Sequence, residues 1–497
     1  MEIKMKLCEL LKNTTVFSEL LPREGEVEIK SVCYDSRQAK ADSLFVALVG
    51  SLSDGHNYAI SAYERGCRAF ICQREVNLPS DAVIILTPDT RAALADISQI
   101  FFGEPSKRLR VIGITGTKGK TTVAQLTYQI LNSLDMKAGY IGTNGIFYDG
   151  KSFETKNTTP ESYDLAYHMS EMLKCGVRYL ALEVSSQALY LNRVHGMKFE
   201  VALFTNLSPD HIGEREHPSF EHYRDSKAKL FSDYFSAAAI YNADDTASEY
   251  MMKNYSGAKI GYSTVRDADI SAEGIELFRD SGQLGVAFNA KIGKKKLACR
   301  LPLPGRFNVG NALAAMAACI SCGADPSRVA DALSNVSIAG RAEVVDALPY
   351  ATFVIDYAHN GISLRSILEV LREYNPRRLI CVFGSVGGRT QMRRSELGKV
   401  ASSLCDFCIL TADNPDTEPV GDINAEIAKE FDSEEKYISI ESRREAVLYA
   451  VKMAQVGDIV LFAGKGHENY QIVDGKKEYF CEKETIIEGA FGMLLRG

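Results

Sequence analysis

The chain has 497 residues, with 57 Lys and Arg against 64 Asp and Glu, a net charge of −7 and a pI near 5.8. It is too long for one hydrophobic core, and its length predicts about three domains. With 46% hydrophobic and 24% charged residues it reads as a soluble globular protein, and its net negative charge gives no electrostatic reason to hold nucleic acid or an anionic membrane.

At the N-terminus, MEIKMKLCELLKN sets charged against apolar residues at helical spacing. It has no uninterrupted apolar stretch and no small-residue cleavage site, so no signal peptide is expected. No segment approaches the roughly 18 uncharged apolar residues of a transmembrane helix. Short β-branched runs then alternate with amphipathic stretches. In order these are SLFVALVG, RAFICQ, AVIILT, RVIGIT, YLALEV, VALFTN, AAIYN, TFVIDY, LICVFG, FCILTA and DIVLFAG. Most are continuous apolar runs, as strands buried on both faces of a parallel sheet require, so the fold class is α/β. The polar, proline-containing segment 103–110 and the segment 334–345 mark boundaries, giving domains 1–107, 108–338 and 339–497. Residues 262–300 read as a β-rich insertion of alternating polarity. Twelve cysteines run from Cys8 to Cys481 without a disulfide framework. The two CxxC pairs are Cys319/Cys322, in an apolar helix, and Cys405/Cys408, where a helix end runs into a strand. Neither has a nearby His or further Cys to complete a metal site, so both read as structural, in a reduced, cytoplasmic compartment.

The most informative stretch begins at Arg110: RVIGITGTKGKTTVAQLTYQIL. A buried strand runs into a glycine-rich turn and then directly into a helix. Such a turn folds its N–H groups around a phosphate, and the helix N-terminus adds its dipole. Gly116, Thr117, Lys118 and Gly119 supply the turn. Lys120 is placed to reach the β- and γ-phosphates, the Thr121 hydroxyl to bind magnesium, and Thr122 follows on the same turn. The usual spacing needs glycine at position 114, where Ile114 stands; Gly113 falls one residue earlier.

The offset loop, GxTGTxGKTT, resembles that of the Mur ligases and their folylpolyglutamate synthase relatives. Thr121 and Thr122 after the lysine favour the peptidoglycan branch. The resemblance continues in order along nearly the whole chain, and it implies a central P-loop-type mononucleotide-binding parallel sheet. An N-terminal α/β UDP-binding domain and a C-terminal Rossmann-like, amino-acid-binding domain would flank it. YDSRQAKADSLFVALVGSLSDGHNY, over 34–58, is similar to the uridine-nucleotide segment, which implies Ser36, Arg37 and His56 near uracil and diphosphate. Read alone, residues 35–37 equally suit a turn cap.

LALEVSSQALYLNRVHG resembles the MurE type. Glu183 follows an apolar strand, where a carboxylate is costly unless paired or metal-bound. The resemblance implies that it binds magnesium, and that Ser185, Arg193, Thr158 and Thr159 hold a muramoyl-dipeptide. Gln187 stands where the family usually has His, and Leu191 where some members have Gln. In FTNLSPDHIGEREHPSFEHYRDSKAKLF, His211 is implied as a second magnesium ligand and Lys227 as a carbamylated lysine, with Lys229 the rival position. GRFNVGNALAA is similar to the adenine-side segment, through Asn308 and Asn311. Arg341 and Asp356, with Tyr357 and His359, are implied to close over ATP; Asn360-Gly361 departs from the family's residues there.

The acceptor amino acid is implied to meet TADNPDTEP and AGKGHENYQ, through Asp413, Asn414, Asp416, Gly464 and Glu468, with Arg394 of GGRTQMRRSELG beside its α-carboxylate. Diaminopimelate-adding members carry arginine where this chain has Asp416. An aspartate repels a distal carboxylate and attracts a distal ammonium, so L-lysine or L-ornithine is slightly preferred. The expected protein is an ADP-forming, ATP- and Mg2+-dependent acid–amino-acid ligase working through an acyl phosphate, with Lys120, Lys227, His211 and Glu183 carrying the chemistry. Its partners are a UDP-linked muramoyl dipeptide and a free diamino acid, and a monomer is expected. A paralogous Mur-type ligase acting on a different acid or amine, a folylpolyglutamate-type ligase and a nucleotide-binding regulator remain as alternatives.

Overall fold

Each apolar run read as a strand forms one, and in most of them the side chains are buried on both faces of a sheet. The computed structural model describes residues 3–494, apart from 13, 15–24, 51–52, 214–215, 281–282 and 389–390; parts of the N-terminal helical reading and of GGRTQMRRSELG lie outside them. The chain divides into two units, 1–263 with 314–325, and 264–313 with 326–497.

Among its described residues the first unit holds two larger sheets beside the short antiparallel pair Met5–Lys6 and Glu28–Ile29. Ser31–Cys33, Ser43–Val46, Ala69–Cys72 and Val83–Leu86 pair in that order, all parallel. Leu44, Val46 and Ile71 pack there with Ile97 and Phe101 from the helix Thr90–Phe101. Asp89 caps that helix by accepting from the Arg91 and Ala92 amides. In the second sheet, Ala138–Gly142, Tyr179–Glu183, Arg110–Thr115, Phe199–Phe204, Ser236–Asn242 and Ala258–Ser263 lie side by side and parallel. The antiparallel strands Gly145–Tyr148 and Lys151–Phe153 continue it beyond Ala138–Gly142. The chain leaves Arg110–Thr115 for a strand two places away and later returns to its other side. Its C-terminal end is therefore a topological switch point, where ligands of such sheets bind.

In the second unit, Thr352–Asp356, Ile459–Ala463, Leu379–Phe383, Phe407–Leu410 and Tyr437–Ser439 form a parallel sheet, with Glu343–Val345 antiparallel at one edge. The insertion forms the antiparallel strands Ile270–Asp280, Gln283–Ile292 and Lys295–Leu301. It packs with the C-terminal sheet: the Tyr374 hydroxyl donates to the Gly285 carbonyl at 3.0 Å, and Leu284 shares a core with Val354 and Leu364. The stretch 108–338 is thus divided between the two units. All twelve cysteines are free thiols. Among the described residues no helix is long and apolar enough to cross a membrane.

Candidate active site

The phosphate loop is built where a fully buried strand must turn sharply. Gly116 has φ +147° and Gly119 +84°, and a Cβ on Gly116 would overlap the Thr205 hydroxyl. Only glycine meets both demands. The next strand fastens the loop: Thr117 N–H donates to the Asn206 carbonyl at 2.8 Å, Lys118 N–H to Asn206 Oδ1 at 2.9 Å, and Thr205 Oγ1 to the Lys118 carbonyl at 2.7 Å. The helix Lys120–Ser133 starts at once. Lys120 Nζ folds back onto the carbonyls of Gly116 and Thr117, 2.9 Å from each. Thr122 is half-buried in the same turn.

One helical turn links the loop to Glu183. Thr121 Oγ1 donates to Glu183 Oε2 at 2.9 Å. The carboxylate is fully buried at the end of its strand, and its other donors are the Tyr140 hydroxyl at 2.6 Å, the Thr143 amide at 3.0 Å and the Thr143 hydroxyl at 3.3 Å. Every one of these donors is neutral. The hydroxyl and carboxylate oxygens that Thr121 and Glu183 bring together beside the loop are the donors a hard cation takes, so these two residues fit a phosphate-bound magnesium.

Lys227 lies on the helix Phe220–Ser232 and is 1% exposed. Its Nζ donates to the Gly116 carbonyl at 2.9 Å and sits 4.3 Å from the centre of the Tyr223 ring. Burial, and then the charge of Lys120, push its amine well below the ordinary lysine range. Lys229, the rival position, is half-buried on the same helix. His211 is half-exposed, has φ +55°, and bonds through Nδ1 to Glu216 at 2.9 Å. The structure therefore joins Thr121 to Glu183 and Lys227 to the phosphate loop, and gives His211 to Glu216. Among the described residues no group of three or more His, Cys, Asp or Glu is arranged to hold a metal.

Thr158, Thr159, Ser185 and Arg193 come together. Thr158 Oγ1 lies 3.1 Å from Thr143 Oγ1, and Thr159 Oγ1 accepts from the Ser185 amide at 3.0 Å. Arg193 donates to the Thr159 carbonyl and to Glu161 Oε1, both at 3.0 Å, while Arg91 meets Glu161 Oε2 at 3.1 Å. In the N-terminal sheet, Asp35 caps the turn at Ser36 and pairs with Arg37, whose side chain is otherwise exposed. Both ring nitrogens of His56 have partners within the N-terminal part of the chain. It is buried, its Nδ1 is 2.6 Å from Asp54 and its Nε2 accepts from the Gln73 amide at 2.8 Å, so it shapes its loop.

In the second unit the loops after parallel strands gather the expected acceptor residues. Lys465, missed in the sequence although it stands inside AGKGHENYQ, is fully buried. It donates to Asn414 Oδ1 at 2.8 Å and Glu468 Oε2 at 2.7 Å, with Asp413 at 3.8 Å. A Cβ on Gly464, at φ +109°, would approach Asp413. Two expected acceptor residues already have partners within the protein. Arg394 is buried between Glu418 at 2.6 Å and Glu426 at 2.9 Å, so its charge is already neutralised. Asp416, at φ +54°, accepts from the Gly475 amide at 2.7 Å and caps the hairpin Tyr470–Val473 and Lys476–Tyr479. Asp356 accepts from the Ala342 and Ala358 amides, and burial raises its pKa. Arg341 stands 5.5 Å from the Tyr357 ring centre. Asn308 and Asn311 bond to the Pro304 carbonyl and to each other.

A switch-point phosphate loop with a buried carboxylate against its first helical turn, in a chain that carries two further sheets of parallel strands, marks a P-loop nucleotide-binding protein. Family models match three stretches: "Mur ligase family, catalytic domain" over 28–101, "Mur ligase middle domain" over 114–319, and "Mur ligase, glutamate ligase domain" over 340–466. The UDP-N-acetylmuramoyl-L-alanyl-D-glutamate–2,6-diaminopimelate ligase of Clostridium botulinum is 38% identical, covering 94% of this chain and 96% of the relative. That of Caldanaerobacter subterraneus is 39% identical, covering 97% and 98%. A solved structure of a protein of the same name superposes with a TM-score of 0.73 at 28% identity, covering 99% of each chain. The chain belongs to the Mur ligase family, with MurE-type members as its relatives, and is an ATP-dependent ligase.

Proposed function

We propose that this ligase acts in the cytoplasm in peptidoglycan synthesis, joining the side carboxylate of D-glutamate in a UDP-linked muramoyl dipeptide to an amine of a diamino acid. The observation that carries this reading is the 2.9 Å contact of Thr121 with buried Glu183 behind the phosphate loop. The three matched stretches support a division of labour over 1–107 for the UDP precursor, 108–338 for ATP and 339–497 for the amino acid.

The glutamate carboxylate attacks the γ-phosphorus, ADP leaves, and an acyl phosphate forms. The acceptor amine then attacks the carbonyl, and phosphate departs with one former carboxylate oxygen. The loop 116–122, through the amides that open its helix, and the Lys120 side chain hold and neutralise the phosphates, so positioning and charge carry the first step and no covalent enzyme nucleophile is needed. Magnesium held by Thr121 and Glu183 would offset the phosphate charge. His211 is a further ligand candidate. The buried amine of Lys227, disfavoured as an ammonium, suits carbamylation, which would replace a repelling cation with one negative charge shared over two oxygens. Thr158, Thr159, Ser185 and Arg193 hold the dipeptide, Ser36 and Arg37 the uridine diphosphate. Asn308, Asn311, Arg341 and Asp356 are assigned to the nucleotide.

Asp413, Asn414, Gly464 and Glu468 hold the acceptor. Asp413, Asp416 and Glu468 outnumber Lys465, and this local negative charge favours the distal ammonium of L-lysine or L-ornithine. A second reading, meso-diaminopimelate, is supported by the relatives' names. Phosphate release with UDP-muramoyl-L-Ala-D-Glu and each amino acid separates them. Turnover with lysine or ornithine alone supports the charge argument, and turnover with diaminopimelate alone overturns it. Silence with all three would point to a different acid or amine.

A further inference from the structure

We infer that Arg443 is a positioning residue for the acceptor amino acid, locking the two loops that hold it into one register; this rests on the reading of those loops as the acceptor site. Arg443 opens the helix Arg443–Met453, and its side chain is fully buried. Its guanidinium makes three different bonds. Nε donates to Glu482 Oε1 at 2.8 Å, one terminal nitrogen to the Ala412 carbonyl at 3.0 Å, and the other to the Ala463 carbonyl at 2.9 Å.

Those carbonyls immediately precede Asp413 and Gly464. They belong to chain segments leaving the strands Phe407–Leu410 and Ile459–Ala463, which are not neighbours: Leu379–Phe383 runs between them. The sheet ladder therefore cannot set the two loop roots against each other directly, and Arg443 spans the gap. The loops meet again further out, where Lys465 bonds Asn414 and Glu468. A root fixed by Arg443 thus defines where Asp413, Asn414 and Glu468 stand.

The chemistry of the pair fits this role better than a role in stability. A buried ion pair is weak evidence for stability, because desolvating both charges offsets their attraction. Glu482 is itself buried, its Oε2 has no hydrogen-bond partner, and burial raises its pKa against the pull of Arg443. What the pair supplies is a planar fork with fixed donor directions, which a lysine ammonium cannot reproduce. Arg443 has no exposed surface, so it acts through the loops and does not touch the acceptor.

The test compares KM for ATP, UDP-muramoyl-L-Ala-D-Glu and the turned-over amino acid in three full-length variants. Arg443→Lys should raise the acceptor KM about tenfold or more, with kcat at saturating acceptor largely kept and the other two KM values within about twofold. Glu482→Gln keeps the guanidinium and both carbonyls in place, and should give a smaller rise of the same selectivity should the lysine variant fail to fold. Glu468→Gln reports on the site itself. Equal rises in all three KM values, or none, with an acceptor-specific effect of Glu468→Gln, would overturn the role of Arg443 and leave the acceptor site standing. No acceptor effect of Glu468→Gln would overturn both.

Discussion

His217 sits in the same segment as His211 but inside the protein. It is fully buried, with Nε2 2.9 Å from the Ser186 hydroxyl and Nδ1 2.8 Å from His222 Nδ1. Burial, then the neighbouring His222, pushes its pKa down to about 4, with Glu216 opposing. The unfolded chain takes up that proton near pH 6.5 and the folded chain only near 4. Stability is therefore intact above pH 6.5 and is lost as the pH falls through that window. Denaturant titrations at pH 7.5 and 5 should show the wild type losing about 1–2 kcal/mol more than His217→Gln. Equal losses would mean that the imidazole is not held neutral. Residue roles of this kind were hard to read in the sequence. Glu183 announced itself as a carboxylate after an apolar run, but its donors Tyr140 and Thr143 lie some forty positions away and carry no pattern of their own. Arg394 and His56 looked like free ligand-binding groups because Glu418, Glu426, Asp54 and the Gln73 amide meet them only after folding.

At the scale of elements, the sequence was far more legible. The phosphate loop is local: strand, turn and helix are consecutive, and each glycine has its own steric reason. Replacing Gly116 by alanine puts a Cβ into the Thr205 hydroxyl at a φ of +147°. The variant should raise the KM for ATP about tenfold or more, while the acceptor KM changes little. An unchanged ATP KM would mean that the loop does not cradle phosphate. Strands read as continuous apolar runs were legible for the same local reason. Ser31–Cys33, Ala138–Gly142, Ala258–Ser263 and Tyr437–Ser439 were not, because they are short or mix glycine and polar residues with their apolar ones. Their pairing partners make them strands, and pairing is not written in a single run. The insertion over 262–300 was legible as β-rich, but its packing against Tyr374 and Val354 was not.

At the scale of the whole molecule, Mur ligase family models match three consecutive stretches, and a relative aligns over 94% of the chain. The central claim is that ATP activates the D-glutamate side carboxylate as an acyl phosphate before the amine arrives. The most direct measurement uses UDP-muramoyl-L-Ala-D-Glu with both oxygens of that carboxylate labelled as 18O, and mass analysis of the phosphate released during turnover. The account predicts one 18O in each phosphate, with the other retained in the new amide carbonyl. Unlabelled phosphate accompanying amide formation would contradict it, because the carboxylate oxygen would then never have been joined to phosphorus.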